Sequence, residues 1–187
     1  NKITSYNINT SQKEWAIQAS TDVKKIDQTN DSAILVTERN KIYFFNYRKK
    51  TKRILFKSTN EFPIITSLLD QDNLWIGGET GLIKIKLIAN KKSRILNTPH
   101  IRALLKFNQN QLVIGTYGLG TFLYQNGEIL QLKNDPTGIS TAVVALSKDQ
   151  NENLWVLCNK GAFLWRKEDL QKNQFHQVYT VNELIPS

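Results

Sequence analysis

Between Asn73 and Ile85 the chain reads NLWIGGETGLIKI. This is an apolar run, a turn of Gly, Glu and Thr, and a second apolar run, the wording of two tightly joined strands. The phrase recurs. Ile34-Leu35-Val36-Thr37 leads into Ile42-Tyr43-Phe44-Phe45, Leu112-Val113-Ile114-Gly115 into Thr121-Phe122-Leu123-Tyr124, and Leu154-Trp155-Val156-Leu157 into Ala162-Phe163-Leu164-Trp165. The four copies begin at residues 34, 74, 112 and 154, spaced by 40, 38 and 42. A period near forty with several short strands per unit predicts an all-β chain, a β-propeller with four-stranded antiparallel blades.

Each unit divides into four strands. The first gives Val23 to Ile26, Ala33 to Val36, Ile42 to Asn46 and Arg53 to Phe56; the second gives Ile64 to Leu69, Leu74 to Gly77, Leu82 to Ile85 and Arg94 to Leu96. In the third, the strands are Ile101 to Leu105, Gln111 to Ile114, Thr121 to Tyr124 and Glu128 to Leu132. The fourth has Ala142 to Leu146, Leu154 to Leu157, Ala162 to Trp165 and Gln174 to Tyr179. Asn126-Gly127 is a two-residue hairpin signal, and the Asn/Asp clusters at 30–31, 70–73, 108–110 and 149–151 mark first-to-second-strand turns. Inner strands are apolar on consecutive residues, as expected where neighbouring blades cover both faces. Trp75 and Trp155 are expected in the wedge between blades, and Gly77 and Gly115 where neighbours approach closely.

Ile3 to Asn7 aligns with the third strand of a unit and Glu14 to Ile17 with the fourth, so the chain opens on an outer half-blade. The expected organisation is one propeller segment of about four and a half blades: a half-blade at 1–20, full blades at 22–59, 63–97, 100–133 and 141–180, and the start of another at 181–187. Residue 1 is Asn and the 187 residues contain no Met, so the chain is expected to be a piece of a longer one, cut from a larger ring or pairing its open blades with a second copy. No apolar run reaches the ~18 residues of a membrane span, which gives this segment no direct insertion. Its single Cys158 rules out an internal disulfide.

The net charge of +9 raises nucleic-acid binding. Its densest runs, Arg48 to Arg53, Lys91 to Arg94 and Arg166-Lys167, fall at one phase of the repeat, in the turn after the third strand, and carry none of the interleaved aromatics that base stacking needs. A solvated basic face is preferred to an acidic-polymer site, and no nucleic-acid partner is expected.

Two phrases resemble the two-component regulator propeller repeat: Asn73-Leu74-Trp75-Ile76-Gly77 followed by Thr80-Gly81-Leu82, and Leu112-Val113-Ile114-Gly115-Thr116-Tyr117-Gly118-Leu119-Gly120. Asp149 to Val156 matches the same wording, while Leu157 and Cys158 replace its Gly and small residue, so a departure is expected at that turn. Such repeats build the periplasmic sensor of hybrid two-component histidine kinases in glycan-degrading gut bacteria. The resemblance implies a periplasmic, non-catalytic sensing segment of an inner-membrane protein, with an oligosaccharide as its ligand. A general protein-interaction propeller is the alternative.

Catalytic chemistry finds little support. Cys158 and His176 lie on strands two spacings apart, roughly 9–10 Å, too far for a nucleophile pair. Asp70-Gln71-Asp72 and Asp149-Gln150-Asn151 lack the glycine and late glutamate of a calcium loop. Gly115 to Gly120 lacks the spacing and following helix of a phosphate loop. No catalytic residue, metal or cofactor is therefore expected. Propellers bind ligands on the side formed by second-to-third-strand turns and blade connections. Here that side is expected to carry Glu38, Arg39, Glu79, Thr80, Tyr117 and Asn159, with Asn97, His100 and Asp135 from the connections. A sugar wants an aromatic face and planar hydrogen-bonding groups, so the candidate ligand residues are Tyr117, Arg39, Glu79, Asn159 and His100.

Overall fold

A computed structural model describes residues 2–7, 9–20, 22–133, 141–172 and 177–180. Asp135, His176 and the segment 181–187 lie outside them. The chain opens on a two-stranded antiparallel sheet, β1 (Lys2–Tyr6) with β2 (Lys13–Gln18). The first four-stranded sheet follows as β3 (Val23–Asn30), β4 (Ala33–Glu38), β5 (Lys41–Asn46) and β6 (Thr51–Lys57). The second is β7 (Ile64–Asp70), β8 (Asn73–Gly78), β9 (Gly81–Lys86) and β10 (Lys91–Leu96). The third comprises β11 (Ile101–Lys106), β12 (Gln111–Thr116), β13 (Thr121–Gln125) and β14 (Glu128–Gln131). In the fourth, β15 (Val143–Lys148), β16 (Leu154–Cys158) and β17 (Gly161–Trp165) precede helix α1 (Lys167–Lys172) and β18 (Gln177–Thr180). Every sheet is ordered as the sequence runs, and every pairing is antiparallel.

Burial is greatest in the two middle strands of each blade and falls toward both edges, most of all the outer one. All six residues of β4 and of β12 are buried, whereas β6 and β14 are mostly exposed. The apolar side chains gather between successive sheets. Leu35 and Ile42 meet Ile64, Leu74 and Ile76 between the first and second blades. Trp75 and Leu82 meet Ile101, Leu112 and Phe122 between the second and third, and Val113 and Leu123 meet Val143, Val156 and Phe163 between the third and fourth. The two-stranded sheet lays Ile3, Trp15 and Ile17 against Val36 and Tyr43 of the first blade.

The close approaches expected at glycine are present. A Cβ on Gly77 would lie 2.5 Å from Ile101 Cγ2 of the next blade, and one on Gly115 2.5 Å from Val143 Cγ1. Asn126 and Gly127 both have positive φ, 52° and 93°, as a two-residue hairpin of the primed type requires.

Four expectations are corrected. Trp75 fills the wedge, 5.0 Å edge-on from Tyr124, but Trp155 does not. It is half-buried beside Tyr179 of its own sheet, because among the described residues no further sheet follows it. Lys52, Lys91 and Lys92 stand in β6 and β10 rather than in turns, and Lys167 opens α1. Leu157 and Cys158 do not disturb their turn, since the β16–β17 register continues to Cys158 opposite Gly161. Finally Glu38 is not a turn residue facing solvent. It ends β4 and is fully buried, accepting from Tyr43 Oη at 2.9 Å and from the Ser20 amide at 3.2 Å, with Lys41 Nζ 2.9 Å away.

Candidate functional site

Each β-hairpin between the second and third strands of a blade lies at the same end of the molecule. In the first three blades its backbone is tied to the connections that lead into its own blade and into the following one. The Arg39 amide donates to the Asp22 carbonyl at 3.1 Å, and the Arg39 carbonyl accepts from Ile64 at 2.8 Å. Glu79 then donates to Pro63 and accepts from His100, both at 3.1 Å. His100 accepts from Tyr117 at 3.0 Å, and Gly118 donates to Thr141 at 2.7 Å. Arg39, Glu79, His100 and Tyr117 are thereby joined into one rim running across the blades. His100 takes a φ of 55° to present both its amide and its carbonyl to flanking turns. Asn159 occupies the matching turn of the fourth blade, exposed, and these rim bonds do not reach it.

Side chains add to the rim. The Arg39 guanidinium and the Glu79 carboxylate form an ion pair at 3.1 Å across the first and second blades, both partners open to water. Such a pair holds a geometry more than it stabilises. Thr80 and Asn97 are occupied, since Arg94 Nη1 donates to the Thr80 carbonyl at 2.9 Å and to Asn97 Oδ1 at 3.1 Å. Tyr117 is 47% exposed, but the Arg102 guanidinium stands 5.2 Å over its ring, so one face of the expected stacking platform is already covered.

The cleft on this side adjoins Arg39 rather than Tyr117. It holds about 370 Å³ and is lined by Ser20, Asp22, Arg39, Asn40, Thr59, Asn60 and Pro63. Hydroxyls, amides and one guanidinium at a shallow opening can exchange hydrogen bonds with a polyhydroxylated ligand. Ser20, Asp22, Thr59 and Asn60 were not foreseen, because these two connections come together beside Arg39 only when the sheets stack. Among the described residues no three His, Cys, Asp or Glu side chains gather as metal ligands would, and no helix is long and apolar enough to cross a membrane.

Antiparallel four-stranded blades packed face to face, with their hairpin turns joined in a rim, make this chain a β-propeller fold. No family model matches the sequence, and no curated protein matches it. Solved structures do share the fold. The extracellular domain assigned to the hybrid two component system BT4673 of B. thetaiotaomicron superposes with a TM-score of 0.70 at 17% identity, over 88% of this chain and 24% of that one. The corresponding domain assigned to BT3049 of the same organism gives 0.64 at 15% identity, over 88% and 25%. The N-terminal domain of Nup159 gives 0.60 at 12% identity, over 94% and 52%. This chain thus spans about a quarter of the length of the two extracellular domains it resembles.

Proposed function

We propose that this chain is a ligand-sensing propeller segment from the periplasmic part of a two-component sensor. It does no chemistry itself and contacts an oligosaccharide through the rim. The observation that carries this reading is the fold likeness to the extracellular domain assigned to a hybrid two component system, over 88% of the chain. The repeat wording from Asn73 to Leu82 points the same way. Further blades of a larger ring, or a second copy, cover the open face of the fourth blade, where Val144 and Leu157 are exposed. Arg39, Asn40 and Asn60 supply the hydrogen bonds to the sugar, Glu79 fixes the Arg39 side chain, and Tyr117 adds the free face of its ring. His100 acts through its backbone, and Asn159 contributes at the far end.

Calorimetry with a panel of neutral oligosaccharides on the intact protein tests the rim. Arg39→Ala is expected to weaken binding by about tenfold or more, the value of a lost charge-assisted hydrogen bond. Tyr117→Ala is expected to cost less, about threefold, because Arg102 already holds one face. Unchanged affinity in both variants removes this side of the propeller from consideration. The likeness to Nup159, together with a matching structure in which dbp5 is bound to nup159, keeps a protein-interaction scaffold as the second reading; it predicts no sugar affinity in the wild type at all.

A further inference from the structure

The end of the blades opposite the rim carries a second cleft, of about 420 Å³, between the second and third blades. The turn from β7 to β8 and the turn from β11 to β12 frame it. Asp70, Asn73, Trp75, Lys84, Lys106 and Gln111 bring its polar and charged groups together, and Tyr124 stands at its wall.

Comparison with the fourth blade exposes what is unusual here. There Asp149, just past the end of β15 where Asp70 ends β7, accepts from the Trp155 indole at 3.1 Å. In the second blade Asp70 is taken instead by Lys106, whose Nζ lies 2.5 Å from Asp70 Oδ2 and 2.8 Å from the Gln109 carbonyl. Trp75, 3% exposed, is left with an indole N–H that finds no acceptor among the described residues. Buried donors are rarely left so. The Lys84 ammonium stands 4.6 Å over the same indole. Burial lowers its pKa first, Lys86 and Lys106 lower it further by repulsion, and Asp70 alone opposes them. The cleft therefore has two cations and one carboxylate on its walls, an unsatisfied donor beneath, and amides around the mouth.

We propose that this cleft binds the carboxylate of an acidic sugar unit between Lys84 and Lys106, with the sugar hydroxyls on Asn73 and on Asn110 at its mouth. The choice of a sugar rests on the sensor reading above; the anionic group rests on the cleft alone. An anion that draws Lys84 outward uncovers the indole and offers Trp75 Nε1 its missing acceptor.

The probe is tetragalacturonate, titrated into the full chain beside its methyl-esterified, uncharged form. The acid is expected to bind, and the ester about tenfold more weakly, as the loss of a charge-assisted contact requires. Lys84→Gln is expected to weaken the acid by about tenfold as well. Trp75→Phe, which keeps an aromatic ring but removes the N–H, is expected to weaken it less and to abolish the fluorescence change on binding. Lys49→Gln, in the β5–β6 turn, reports any diffuse attraction to the basic surface and is expected to bind as the wild type does. Equal affinity for acid and ester overturns the proposal, as does wild-type affinity in both Lys84→Gln and Trp75→Phe. Loss of the acid in Arg39→Ala with none in Lys84→Gln overturns it too, and leaves the rim as the sugar site. Binding of neutral oligosaccharides without tetragalacturonate likewise retains the sensor reading and removes this one.

Discussion

Gly81→Ala is expected to cost about 3 kcal/mol, enough to remove much of the stability of a domain this size. Gly81 opens β9 with a φ of 139°, a conformation that side chains resist, and a Cβ there would lie 2.3 Å from the Leu96 carbonyl oxygen. That oxygen is backbone on the outer strand of the same blade, so it cannot swing aside as a side chain would. Gly118 separates the two causes. Its φ of 119° is similar, yet nothing lies within 4 Å of a Cβ built on it. Gly118→Ala should therefore cost only about 1 kcal/mol, from backbone strain alone. Gly77→Ala lies between them, at about 2 kcal/mol, because Ile101 can shift only by parting two blades. Urea unfolding of the three variants checks the ranking. Equal losses at Gly81 and Gly118 would show that φ, not contact, sets the cost.

The inner blade strands were legible because both their faces are covered and the sequence there is apolar at consecutive positions. The outer strands were blurred at their starts. Thr51, Lys52, Lys91 and Lys92 look like turn residues, yet a strand exposed to water tolerates them. The Lys52 ammonium lies 3.7 Å over the Tyr43 ring and that of Lys92 5.6 Å over Phe56, so each charge rests on an aromatic face at the edge of the blade. Helix α1 escaped notice for want of length. Its six residues carry acids in the first turn and Lys172 in the last, but are too few to show a helical period. At the rim, the turns yielded Arg39, Glu79 and Tyr117 from their place in the repeat. The cleft beside Arg39 was beyond reach, since Ser20, Asp22, Thr59 and Asn60 meet it only once the sheets have stacked. Trp155 was misplaced for a related reason: what packs on a wedge tryptophan is the next sheet, not its own.

Glu38 was the least foreseeable residue, a charged strand end that reads as solvated and is instead completely buried. Glu38→Ala is expected to cost about 3 kcal/mol, because it strands the Tyr43 hydroxyl, the Ser20 amide and the Lys41 ammonium at once. The loss should depend on pH. Burial pushes the Glu38 pKa up, but the bonds from Lys41, Ser20 and Tyr43 outweigh it and hold the carboxyl below its ordinary value. Burial and the same carboxylate push the Tyr43 hydroxyl the other way, well above the ordinary tyrosine value, so it remains a donor at neutral pH. A carboxyl whose folded-state pKa lies below its unfolded one binds fewer protons when folded. Its contribution is therefore complete above the unfolded value and fades as pH falls through the folded one. Urea unfolding of wild type and Glu38→Gln at neutral pH and at pH steps below the ordinary glutamate range measures this directly. The gap between them should be widest at neutral pH and narrow on acidification. A gap that stays constant would mean that Glu38 is held by packing and neutral hydrogen bonds, with its charge contributing nothing.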